Sequence, residues 1–150
     1  MDLSFFDQFS DPYLKTATGR GVFLGGLILG VVASQQSEHG SVQDSPLFKQ
    51  ISFGRMQIRD IRRLLARVPE LSKAYGIKNA GRVAQLLAEA GSLLLEGVGK
   101  DLGVDGNFTF SVAFSNAWRF YREIYPKDEI AQTALGQTDS EEDDEQGNDE

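Results

Sequence analysis

The stretch that most limits how this chain can fold runs from about Thr16 to Gln36. It is almost wholly apolar or small, with Gly19, Gly21, Gly25, Gly26 and Gly30 set inside an otherwise helical pattern. Each glycine costs an exposed helix about 1 kcal/mol relative to alanine, so a helix carrying five of them needs close packing on its sides. Gly21 and Gly25, and again Gly26 and Gly30, have the small-xxx-small spacing that lets a second helix approach closely. The most apolar part, Gly21 to Ala33, is shorter than the roughly 20 residues that cross a bilayer. It follows an N-terminus that carries acids where an export signal would carry bases. The expectation is a central helix buried in protein, with no membrane contact and a cytoplasmic location.

A chain of 150 residues with 41% apolar content has room for one core and not for two. The absence of cysteine excludes a disulfide framework and a thiolate metal site. The formal charge of −7 misleads, because Asp139 to Glu150 holds eight of the twenty-two acids and no base. Without that segment fifteen bases face fourteen acids, a balance of +1, so the pI of 4.7 describes the tail. The expected organisation is a helical domain over residues 1–127 and a disordered acidic tail over 128–150.

Helices are also expected elsewhere. Phe5, Phe6, Phe9, Tyr13 and Leu14 form an aromatic cluster on a short helix interrupted at Asp11-Pro12, a lid on the core. A polar linker, Ser37 to Ser45, holds the lone histidine, His39, for which no chemistry is expected. Ser45 and Pro46 read as N-cap and first residue of a short helix that Phe53-Gly54 breaks. Helices follow from about Met56 to Val68, Pro69 to Tyr75 and Asn79 to Glu96, the last closed by Gly97 and Gly99. Phe108, Phe110, Val112 and Phe114 alternate like a strand, but no second strand candidate exists to pair with them. Ala117, Trp118, Tyr121 and Ile124 continue at helical spacing, so one helix from about Asn107 to Tyr125 is expected. The fold class is all-α, a compact bundle of five to six helices around the glycine-rich one.

Lys49 to Arg82 concentrates nine of the fifteen bases with only two acids, Asp60 and Glu70. Arg55, Arg59, Arg63 and Arg67 recur every four residues with Arg62 beside them, while Ile58, Ile61, Leu64, Leu65 and Val68 mark another face. One side of that helix can pack while the other meets an anion. Lys73, Lys78 and Arg82 extend the positive surface, and Arg119 and Arg122 make a second patch. Guanidinium forks suit bidentate contact with phosphate, and such contacts release counterions without reading sequence. They suit carboxylates too, which leaves open an adaptor docking an acidic or phosphorylated protein; a solvated face with no ligand is the plainest alternative. No catalytic pair, metal spacing or phosphate loop emerges: Glu89 and Glu96 have no histidine partner, and GRGVFLGG and GVGKDLGVDG lack the required spacing. No enzyme activity, cofactor, metal or small-molecule substrate is expected.

Taken together, FLGGLILGVVASQQ, then SPLFKQI, then GRMQIRDIRRLLARV, then a Tyr-Gly turn and further helices resemble a known family. It is the C-terminal helical region of the large subunit of type I-B CRISPR-associated Cascade complexes, also found as a separate small subunit made from an internal start. The resemblance covers about Leu14 to Tyr125, and a chain beginning at Met1 fits such a product. It implies a non-enzymatic all-α subunit lying beside the guide RNA, holding the target–guide hybrid and the displaced DNA strand. The implied partners are backbone and large effector subunits, copies of itself, guide RNA and target DNA. The long acidic tail is not part of the family pattern.

Overall fold

The computed structural model describes residues 1–37, 41–95 and 101–126. Seven α-helices and no β-strand lie among them: α1 (Ala17–Gln36), α2 (Pro46–Lys49), α3 (Ile58–Ala66), α4 (Val68–Tyr75), α5 (Ala80–Leu94), α6 (Gly103–Ser115) and α7 (Ala117–Ile124). The all-α class is as expected from sequence. His39, Glu96, Gly97, Gly99 and the acidic tail lie outside the described residues.

Helix α1 starts where the Thr16 hydroxyl accepts a hydrogen bond from the Gly19 amide at 3.0 Å, an N-cap that satisfies one orphan donor. Residues 21–34 are then buried without a break, and every other helix packs on this one. The helix is longer than its apolar centre because Ala17 to Arg20 and Ser34 to Gln36 extend it to 20 residues. By length and composition it is long enough to cross a membrane, but 83% of its most apolar window is buried inside the protein. The apolar surface is satisfied by neighbouring helices.

The glycines divide between two tasks. A Cβ on Gly26 would sit 2.6 Å from the Phe110 carbonyl oxygen, and one on Gly30 would lie 2.6 Å from the Ala117 Cβ and against the Phe114 carbonyl. The α6 backbone therefore rests directly on α1, with Phe110 and Phe114 matching the four-residue step of the glycines. Gly21 and Gly25 admit side chains instead: a Cβ there would meet Leu94 of α5 at 2.9 Å and Ile61 of α3 at 2.8 Å.

The N-terminal segment is a lid, as expected, but it is built of two 3-10 turns, Leu3–Gln8 and Pro12–Lys15. Phe5 and Phe6 pack on Phe23 of α1, each with ring centroids 5.5 Å apart, and Phe23 lies 5.0 Å from Phe120 of α7. Ser45 caps α2 by accepting from the Phe48 amide at 3.1 Å, with Pro46 first in the helix.

The expected single helix from Asn107 to Tyr125 is two helices, and the first begins earlier, at Gly103. The break is at Asn116, whose backbone is non-helical (φ −118°, ψ 29°). Both its amide N–H (3.1 Å) and its side-chain Nδ2 (2.9 Å) donate to the Val112 carbonyl. An asparagine that offers the backbone such an alternative ends a helix readily. With this division six α-helices surround α1 among the described residues, within the five to six expected around the glycine-rich helix. After the turn, α7 packs against α1, where the Trp118 indole N–H donates to the Ser34 hydroxyl at 2.7 Å.

Two alanine substitutions test the glycine assignment. Gly30→Ala should lower the stability by about 1–3 kcal/mol, because its methyl group meets backbone that cannot turn aside. Gly91→Ala, inside α5 with nothing within 4 Å of the added carbon, should raise it by up to about 1 kcal/mol. Chemical denaturation of the two variants gives both signs.

Candidate nucleic-acid interface

Helix α3 is oriented by its apolar stripe. Ile58, Ile61, Leu64 and Leu65 are buried, and Ile61 fills the space above Gly25 of α1. The opposite side is left with Arg59, Arg62 and Arg63, all exposed. Asp60, the one acid among them, is engaged at the helix start: its Oδ2 accepts from the Gln57 amide at 2.9 Å, where the helix dipole also favours a carboxylate.

The helix is shorter than the expected Met56 to Val68, and the arginine repeat is accordingly not confined to one helix. Arg55 lies in the turn after Gly54, whose φ of +84° suits glycine alone, and Arg67 sits at the junction between α3 and α4. There the Arg67 amide bonds to the Leu64 carbonyl at 3.1 Å, and Pro69, with no N–H to give, falls in the first turn of α4. Both flanking arginines are exposed, and Arg67 Nη1 donates to Gln50 Oε1 near the end of α2. Among the described residues the only ion pair is Arg119–Glu123, at 3.9 Å. No carboxylate among them neutralises the five guanidiniums of 55–67.

Arg55 also stands between two surface hollows. One of about 270 Å³ is lined by Gln50, Ser52, Arg55, Met56, Asp60, Arg63 and Leu64. The other, about 480 Å³, is lined by Gly54, Arg55, Met56, Asp101, Gly103, Val104 and Asn107. The turn is tied to α6 by the Met56 amide, which donates to Asn107 Oδ1 at 3.1 Å. Gln50 and Asn107 position this surface without showing in the charge pattern. Asp60 could have been read from its place three residues after Gln57, the spacing of a capping box.

The remaining basic candidates fall into three groups. Lys73 on α4 and Lys78 in the following turn are exposed and continue the chain away from α3. The Lys78 backbone amide donates to Gln35 Oε1 at 2.8 Å, which ties this turn to α1. Arg82 is half-buried on α5, with its guanidinium 4.8 Å from the centre of the Tyr125 ring. Arg119 and Arg122 are exposed on α7, which packs on α1, α6 and the N-terminal turn, whereas α3 packs on α1, α4 and α5. They form a patch separate from the α3 arginines.

Two of the shifted ionisations lie beside Arg82. Burial raises the Tyr121 and Tyr125 phenols above their ordinary value, with Tyr121 adding to the effect on Tyr125 and Arg82 opposing it on both. The Tyr125 hydroxyl donates to Gln85 Oε1 at 3.0 Å and lies 3.3 Å from the Arg82 carbonyl, whereas the Tyr121 hydroxyl is buried with no hydrogen-bond partner among the described residues. Tyr125→Phe should therefore cost about 1 kcal/mol, and Tyr121→Phe should be neutral or stabilising by about 1 kcal/mol. Because both phenols hold their protons longer folded than unfolded, their contribution is intact below pH of about 10 and is lost as pH rises beyond it. Thermal melts of the wild type and the Tyr121→Phe variant from neutral to strongly alkaline pH check the sign: the variant should lose less.

A family model described as the CRISPR-associated protein TM1802 C-terminal domain matches residues 3–127, a span containing all ten basic candidates and none of the Asp139–Glu150 tail. No curated protein and no solved structure matches the chain.

Proposed function

Because the chain belongs to the CRISPR-associated protein TM1802 C-terminal domain family, we propose that it is a non-catalytic small subunit of a type I Cascade complex. In this reading it grips the sugar-phosphate backbone of the guide–target hybrid and the displaced strand, and so stabilises the opened target DNA. The observation that carries the reading is the division of α3: four apolar side chains buried on the core, and Arg59, Arg62 and Arg63 exposed beside Arg55 and Arg67. Such a surface supplies charge-assisted contacts to phosphate oxygens while offering no base-reading element, so the binding is insensitive to sequence and sensitive to salt.

Contact with neighbouring subunits is supported by α6. Val104 and Phe108, one turn apart, are 87% and 68% exposed, an apolar pair suited to burial against another protein surface.

Replacing Arg59, Arg62, Arg63 and Arg67 together with alanine should leave the helical circular dichroism unchanged. Binding of duplex or hybrid to the isolated chain is expected at about 10⁻⁴–10⁻⁶ M at physiological salt. The quadruple variant should weaken it and flatten the plot of log affinity against log salt by about 0.9 for each phosphate that is no longer neutralised. An unchanged salt slope would remove α3 from the interface, and binding of an acidic peptide with no response to nucleic acid would favour the adaptor role.

A further inference from the structure

We propose that the acidic segment Asp139–Glu150 docks on the arginine face of α3 as an intramolecular competitor for its anionic ligand. Between residues 55 and 67 five guanidiniums are exposed, and no carboxylate among the described residues pairs with them. The segment supplies the complementary chemistry in one run: Glu141, Glu142, Asp143, Asp144 and Glu145 are consecutive, with Asp139, Asp149 and Glu150 around them and no base. It also contains no apolar side chain, so hydrophobic burial cannot hold it and charge is its strongest means of attachment.

Geometry permits the contact. Twelve residues, 127–138, separate the last described residue from Asp139. Extended, they span about 40 Å at roughly 3.3–3.6 Å each, against a radius of gyration of about 14 Å for a domain of this size. Tyr125, next to the root of this segment, contacts Arg82 and Gln85 of α5, and α5 packs on α3, so the arginine face is within reach and the choice among basic groups is made by charge. Arg119 already faces Glu123, and Arg122, Lys73 and Lys78 are single charges on other elements, which leaves α3 and its flanking turns as the densest unpaired cluster. Carboxylates fit guanidinium forks in the same bidentate manner as phosphates. A tethered segment acts at an effective concentration of about the millimolar range, enough to compete with a ligand held by a few phosphate contacts.

The test uses the full-length chain. It has no cysteine, so Ser140→Cys provides a unique site for a nitroxide spin label. At about 10 mM salt, amide resonances of Arg59, Arg62 and Arg63 should be broadened, and they should recover at about 1 M salt, where charges are screened within a few ångströms. They should also recover when Arg59, Arg62, Arg63 and Arg67 are alanine. Broadening confined to α7, near the root of the tail, or broadening on α3 that ignores salt, overturns the docking.

The competitive consequence rests on the proposed phosphate-binding role, and a second measurement keeps the two apart. A full-length chain with Glu141→Gln, Glu142→Gln, Asp143→Asn, Asp144→Asn and Glu145→Gln should bind a single-stranded oligonucleotide about ten-fold more tightly at low salt, with the difference vanishing at high salt. If the spin label reports docking but this variant binds the oligonucleotide no better, docking stands and the phosphate-binding role falls. If α3 shows no broadening, docking falls whatever the oligonucleotide does, because repulsion between two polyanions alone would tighten binding once the acids are neutralised.

Discussion

The approach of the α6 backbone to α1 over Gly26 and Gly30 fixes the arrangement of the other helices. Two helices whose carbonyls and Cα atoms nearly touch have little freedom in crossing angle or register, because a shift along either axis brings the flanking Leu27, Leu29 or Val31 into the gap. The register in turn places Phe110 and Phe114 where they meet the rings of Phe48 and Phe53, with Phe53 and Phe114 centroids 5.3 Å apart. That contact holds the 46–56 segment down on the bundle. The turn carrying Arg55 is thus positioned by a packing event on the far side of the phenylalanines, and the Met56–Asn107 hydrogen bond fastens it to the same helix.

A second glycine governs the charged surface. Gly25 leaves room for Ile61, and with Ile58, Leu64 and Leu65 also buried the rotation of α3 about its own axis is settled. Rotating the helix to bury an arginine would strip it of water without a partner and expose two or three apolar side chains, each change costing about 2 kcal/mol or more. The outward aim of Arg59, Arg62 and Arg63 is therefore a by-product of core packing, and it needs no ligand to maintain it. The fold thus presents a cluster of cations with no carboxylate partner among the described residues, and the family places such a domain among CRISPR-associated proteins.

Much of this was readable from periodicity. The glycine-rich helix and the Ser45-Pro46 start depend on local rules of packing and capping, and these hold in the fold. What escaped depends on competition between local hydrogen bonds or on distant partners. Asn116 looks like an ordinary polar residue on a helix surface until its side chain is seen bonding back to Val112, which divides one expected helix into two. Arg82 belongs by sequence to the basic stretch, yet its guanidinium lies over Tyr125, forty-three residues away, a pairing that no spacing rule reveals. Arg55 and Arg67 obey the four-residue repeat but lie outside the helix the repeat suggests, because Gly54 and Pro69 bound it more tightly than the apolar pattern does.

That shortening changes the kind of anion the surface suits. Arginines at successive turns of one helix would form a straight row about 5–6 Å apart, matched to a rod-like partner lying along the axis. Here three arginines belong to α3, one to a glycine turn and one to a helix junction where Gln50 anchors it, and Arg55 and Arg63 share the rim of a hollow. The charges thus lie on three local structures in place of one helix, and Arg55 also lines the hollow it shares with Gly103, Val104 and Asn107 of α6. A partner whose own charges follow a curved or flexible path, as those of a displaced single strand or an unstructured acidic segment do, can meet all five.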